Sequence, residues 1–122
     1  MPDKVYTLMP DKPVFWIGSA RNDLRAFPEE ARYKAGVQLR AVQRRENPLD
    51  FKPMPVVGKG VFEIRVRTSD AHRIFYFTRF KEAVYVLHAF QKKTQKTSKQ
   101  DIKLGQQRYK QMLHHKEEQR RN

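Results

Sequence analysis

Apolar positions in the middle of the chain alternate as they do in strands. Three runs, Gly60–Thr68, Ala71–Phe80 and Ala83–Lys93, are apolar or aromatic and bounded by turn-forming or charged residues. They predict a meander of three antiparallel strands. In the first run Phe62, Ile64 and Val66 point one way, and Glu63, Arg65 and Arg67 the other. In the second, Arg73, Phe75, Phe77 and Arg79 share a face opposite Ile74, Tyr76, Thr78 and Phe80, so both faces are substantially aromatic. That suits a central strand covered at least partly on both sides. In the third, strict alternation sets His88, Phe90 and Lys92 against Tyr85, Leu87 and Ala89.

Upstream, Val14-Phe15-Trp16-Ile17 is a compact apolar run closed by Gly18-Ser19 and predicts an edge strand. Asp23–Phe27 fits a short helix. From Pro28 to about Arg45 the spacing becomes helical, with Ala31, Ala35, Leu39 and Val42 on one stripe and Glu29 and Glu30 at the positive end. Asn47-Pro48 predicts the stop, and proline-rich Leu49–Lys59 predicts an irregular connector. Downstream, Ser98 with Asp101 three residues on resembles a capping box. Ile102, Tyr109, Met112 and Leu113 supply a stripe to about Leu113, and Gly105 weakens that helix by roughly 1 kcal/mol relative to alanine. The fold class is therefore α+β, with helices on one sheet face and the other partly open. Residues 1–12, which hold Met-Pro-Asp-Lys twice, read as a flexible leader, 13–113 as one domain and 114–122 as a charged tail fraying into solvent.

Charge changes this picture most. Lysine and arginine number 26 against 13 acidic residues, a net charge of +13, which favours a polyanionic partner. No apolar run reaches the roughly 20 residues needed to cross a bilayer, and the N-terminus lacks a signal-peptide core. The expectation is a cytoplasmic protein with no membrane partner. The chain has no cysteine, which excludes disulfides and thiolate chemistry.

With matching strand registers, Arg65, Arg67, Arg73, Phe90 and Lys92 converge on one surface. Cations neutralise phosphates and exposed rings stack on unpaired bases, a pairing suited to single-stranded RNA. Each residue also has a plainer reading. Arg65 and Arg67 fit the wet face of an amphipathic strand, Glu63 fits an ion-pair partner, and Phe75, Phe77 and Phe80 fit the core. His72 and His88 lack metal-ligand spacing, so no metal and no cofactor are expected. RNA cleavage without metal is chemically open, because the 2′-hydroxyl attacks the adjacent phosphate. The protein then aligns the strand and stabilises the developing charge. These residues offer no evident acid–base pair.

Four segments, Phe15–Ser19, Asp23–Pro28, Arg73–Tyr76 and above all Val86–Lys96, resemble the phage-derived Gp49-like, HigB-type branch of the RelE/ParE toxins. The resemblance spans roughly residues 13–113, and its most specific part is His88-Ala89-Phe90-Gln91-Lys92-Lys93-Thr94. It implies a small antiparallel sheet, mixed at its edge, with two N-terminal helices packed on one face and a C-terminal helix. It also implies the toxin of a type II toxin–antitoxin pair, a ribosome-dependent endoribonuclease cutting mRNA in the A site beside 16S rRNA. The implied protein partner is a helix-turn-helix antitoxin. Carried over residue by residue, Arg65, Arg67, Arg73 and Lys92 are catalytic cations, and Phe90, Lys93, Thr94 and Lys96 contact RNA. Tyr109 lies too far along to equate with the RelE tyrosine, which leaves His88 or Tyr76 for proton transfer. The competing expectation is a non-catalytic protein, either a ParE-like gyrase inhibitor or a basic nucleic-acid-binding accessory protein.

Overall fold

The computed structural model describes residues 10–121. Its elements are β1 (Val14–Trp16), α1 (Ala20–Arg25), α2 (Glu29–Gln43), β2 (Phe51–Pro53), β3 (Val61–Arg67), β4 (Ala71–Phe77), β5 (Val84–Lys92) and α3 (Lys99–Arg121). The sheet order is β1-β5-β4-β3-β2. β1 runs parallel to β5, and every other pair is antiparallel. This is the expected α+β architecture with a sheet mixed at its edge.

Two clusters of buried side chains hold the layers. On one face Leu24, Phe27, Ala31, Ala35, Leu39 and Val42 of the N-terminal helices and the Phe27 turn pack on Ile64, Val66, Ile74, Val84 and Val86. On the other face Met112, with Ile102 and Tyr109, packs on Val61, Phe75, Phe77, Tyr85 and Leu87. The C-terminal helix thus covers much of the face expected to be open. Gly105 makes this close approach possible, since a Cβ there would stand 2.8 Å from the Phe75 ring. Its cost to helix propensity is offset by contact with the sheet.

β5 departs from strict alternation. Phe75 pairs with His88 but Tyr76 pairs with Val86, so Leu87 is an extra residue, a β-bulge. Tyr85, Leu87 and Phe90 therefore face α3, while Val84, Val86 and Ala89 face α1 and α2. The expected grouping of Tyr85 and Leu87 with Ala89 is corrected by this one residue, because a bulge resets which side each later side chain takes.

Other boundaries moved for local reasons. The second helix stops before Asn47-Pro48: Arg45 adopts φ 66°, its N–H donates to the Val42 carbonyl, and the Glu46 N–H reaches back to Ala41. This is a Schellman closure with arginine in the glycine position. Part of the proline-rich connector forms β2, where Pro53 sits on the sheet edge and its missing N–H costs little. The last helix continues to Arg121, with His114–Glu118 and Glu117–Arg121 spaced at i,i+4 and Lys116 reaching Glu82. The expected leader lies largely outside the described residues. Its end does not hang free, since the Lys12 backbone exchanges hydrogen bonds with Gln43 and its Nζ donates to the Thr78 carbonyl and hydroxyl.

Arg108 pins α3 to the sheet. Its Nη1 donates to the bulge carbonyl of Leu87 at 3.0 Å and to Ile17 at 3.4 Å, and its Nη2 to Ser19 Oγ. Gly18 (φ 58°) leaves room for the guanidinium, which a Cβ there would meet at 2.6 Å. Replacing Arg108 with Leu strands these buried acceptors, and urea unfolding is expected to show a loss of about 2–4 kcal/mol.

Candidate functional site

The registers of β3, β4 and β5 stack the basic residues into rows on the face that α3 covers. Arg65 lies opposite Arg73, and Arg73 opposite Phe90. In the next row outward Arg67 pairs with Ala71 and Ala71 with Lys92. In the next row inward Lys52 pairs with Glu63, Glu63 with Phe75 and Phe75 with His88. The C-terminal helix begins over this inner row, with Asp101 on His88 and Gly105 above Phe75. Helix cover ends where the arginines begin, so the strand-borne cations expected together do share one end of one face.

They differ sharply in exposure. Arg73 is buried, with Nη1 on the His72 carbonyl and Nε 3.5 Å from Glu63, itself 1% exposed. Lys52 stands 4.0 Å from the same carboxylate. The pair is incompletely made: Glu63 Oε2 and Arg73 Nε have no hydrogen-bond partner. Burial raises the Glu63 carboxyl above its ordinary value despite Arg73, Lys52, Lys92 and Arg65, and burial also pulls Arg73 down. Both directions say that desolvation outweighs mutual attraction here, as is common for buried pairs. Arg65 and Arg67 are half-buried and exposed respectively, and Asp50 holds both at 2.9 and 3.9 Å. Burial, then the neighbouring Arg73, lowers Lys92.

His88 lies beneath the start of α3. Its Nε2 is 2.8 Å from Asp101 Oδ1, and Asp101 also accepts from Ser98 Oγ while its own N–H donates to that hydroxyl. The capping box seen in the sequence thus also orients a histidine. Burial lowers His88 more than Asp101 raises it. A neutral ring donates through Nε2 and leaves Nδ1 buried without a partner. Phe90, expected to stack on a base, is 8% exposed, with its ring stacked on His88 at 4.7 Å and edge-on to Phe75 at 5.1 Å. Lys93, Thr94 and Lys96 are exposed in the turn after β5, where the Thr94 hydroxyl donates to the Lys96 carbonyl. Lys92, Lys93 and Thr94 line a shallow depression of about 220 Å³ with Ser98 and Gln100.

The two tyrosines stand elsewhere. Tyr76 is buried on the opposite face, where burial holds its hydroxyl protonated. Tyr109 packs beside Phe77 and donates to the Lys59 carbonyl. Sequence reasoning missed Asp50 and Lys52 as members of the charge cluster, because both fell in the stretch read as a connector. It also missed Arg108, whose place on the Ile102–Gly105–Met112 stripe is a legible signal.

Together the cluster presents cations in fixed rows around one buried carboxylate. It can hold phosphate oxygens and stabilise added negative charge on them. Residues 22–110 match the family model described as Phage derived protein Gp49-like (DUF891). No curated protein matches the chain.

Glu63 gives this cluster a pH signature. A raised folded-state pKa means that the native chain holds the proton more tightly. The stabilisation is full below the ordinary value of 4.5 and is lost as pH rises through the raised one. Urea midpoints measured across that window are expected to fall with pH in the wild type and to stay level in Glu63→Gln. His88 has the opposite sign: its lowered pKa means stability is lost as pH falls below 6.5. Its Cε1–H shift is expected to titrate at lower pH than that of a free imidazole.

Proposed function

We propose that this chain, which belongs to the phage-derived Gp49-like family of RelE/ParE-like toxins, is a HigB-type toxin of a type II toxin–antitoxin pair. It cuts mRNA bound in the ribosomal A site and so stops translation. The observation carrying this reading is the row geometry: Arg65, Arg67, Arg73 and Lys92 on adjacent antiparallel strands, just beyond the end of the covering helix.

In the proposed reaction the 2′-oxygen forms a bond to the neighbouring phosphorus and the bond to the 5′-oxygen breaks. The products are a 2′,3′-cyclic phosphate and a 5′-hydroxyl. The 2′-hydroxyl loses its proton and the leaving oxygen gains one. Arg67 and Lys92 receive the strand and Arg65 meets the charge that grows on the phosphate, with the buried Arg73 adding its positive field from beneath. Glu63 and Asp50 hold these cations in place. His88 acts through Phe90 and the Asp101 cap to keep β5 in register beside Arg73. Lys93, Thr94 and Lys96 steer the flanking backbone. A helix-turn-helix antitoxin encoded beside the toxin relieves the arrest.

Arg73→Ala alone would strand the buried Glu63, so it is made together with Glu63→Gln, which removes both charges at once. The double variant is expected to stay folded by circular dichroism and to lose toxicity on induction. Lys92→Ala is expected to reduce cleavage at least about tenfold. Transcript 5′ ends mapped after induction should cluster within translated codons in the wild type. Intact messages accompanied by gyrase-linked DNA breaks would sink the nuclease reading.

A further inference from the structure

Stacking on unpaired bases needs cations beside rings with an accessible face. Beside the arginine rows the rings are buried: Phe75 and Phe90 are at most 8% exposed. The required combination occurs on the opposite side of the sheet. There a cleft of about 540 Å³ opens between the end of α2 and strands β2–β4. Its floor is a ladder of three rings, with Phe51 and Phe62 centroids 5.8 Å apart and Phe62 and Tyr76 5.9 Å apart. Phe51 and Phe62 are half-buried and keep part of their surface open to the cleft.

Arg45, Arg79 and Lys81 line this cleft, and Lys12 lies at its wall. Their charges are less compensated than those of the other face. Arg65 and Arg67 share Asp50, and Arg73 and Lys52 share Glu63. Among the described residues Arg45, Arg79 and Lys81 make no ion pair, and Arg45 donates only to the Pro10 carbonyl. The volume is that of a small-ligand site, and the lining joins three rings to a rim of cations and hydrogen-bonding groups.

We propose that this cleft binds an unpaired nucleotide of an RNA strand, its base against the Phe51–Phe62–Tyr76 ladder and its phosphate on Arg45, Arg79 and Lys81. The polar pair at the cleft's end selects this occupant over an acidic peptide. Glu46 and Asn47 line it, and a carboxylate there accepts from the exocyclic amine of a base but repels an acidic side chain. The site therefore favours a base with an exocyclic amine, adenine, cytosine or guanine, over uracil. It lies across the sheet from the arginine rows and gives the chain a second, non-catalytic hold on RNA.

The test titrates the full chain with adenosine, cytidine and uridine monophosphates, hexa-adenylate, inorganic phosphate and hexaglutamate. The ring signals of Phe51 and Phe62 and the side-chain amide of Asn47 report binding. Adenosine or cytidine monophosphate is expected to shift them saturably, hexa-adenylate at lower concentration still, and phosphate alone to leave the rings unmoved. The double variant Arg79→Ala/Lys81→Ala, at exposed positions, should weaken binding by about tenfold or more. Silent ring signals with every nucleotide, or equal shifts with phosphate, overturn the proposal. Shifts with hexaglutamate but no nucleotide make the cleft a protein-docking site and overturn it too. Mononucleotide binding that hexa-adenylate cannot match overturns the assignment to RNA. The readout does not depend on cleavage, so the Arg73→Ala/Glu63→Gln chain should titrate like the wild type, and failure of the nuclease reading would leave this result standing.

Discussion

The single extra residue in β5 controls how the C-terminal helix meets the sheet. Without the Leu87 bulge, alternation would carry Tyr85 and Leu87 to the face opposite Phe90, and α3 would find a discontinuous apolar surface. With it, Tyr85, Leu87 and Phe90 join one core cluster. The bulge carbonyl, displaced from the ladder, is taken by Arg108. That contact, the absent Cβ at Gly105 and the His88–Asp101 hydrogen bond fix where the helix lies and where it begins. Its beginning in turn decides how much of the strand face stays open, and the arginine rows occupy what remains.

Charge is organised differently on the two sides of the same sheet. The arginine face confines its cations with two carboxylates, one of them buried and incompletely hydrogen-bonded. Its Glu63–Arg73 centre is desolvated, a property suited to stabilising charge that develops during a reaction rather than to tight ground-state binding. Across the sheet, cations without carboxylate partners among the described residues surround half-buried rings, an arrangement suited to holding a flexible strand. Part of the excess of +13 is thus gathered on two surfaces of different character. Among the described residues no helix is long and apolar enough to cross a membrane.

Much of this was legible in the chain. Alternation in Phe62–Arg67 and in Arg73–Phe77 gave the strands and their faces, and the Ala31–Val42 stripe gave the long N-terminal helix. The grouping of Arg65, Arg67, Arg73 and Lys92 followed from the same period of two, because in-register pairing preserves faces across strands. β2 was not legible: its three residues carry a proline and no alternation, and pairing with β3 supplies the reason they are extended. Nor was the end of α2, where Arg45 takes a conformation that sequence patterns reserve for glycine.

What the sequence by itself determined is the order of every element except β2, the fold class and the surplus of cations, because these follow from local periodicity and composition. Tertiary structure alone decided which cations are free. Glu63 and Arg73 are buried among the residues of neighbouring strands, and Phe90 is closed to a base because His88 and Phe75 cover it. Burial and pairing depend on residues distant in the chain, such as Asp50 with Arg65 or Asp101 with His88. No local pattern encodes those distances, so the chemistry of each cation becomes visible only once the chain is folded.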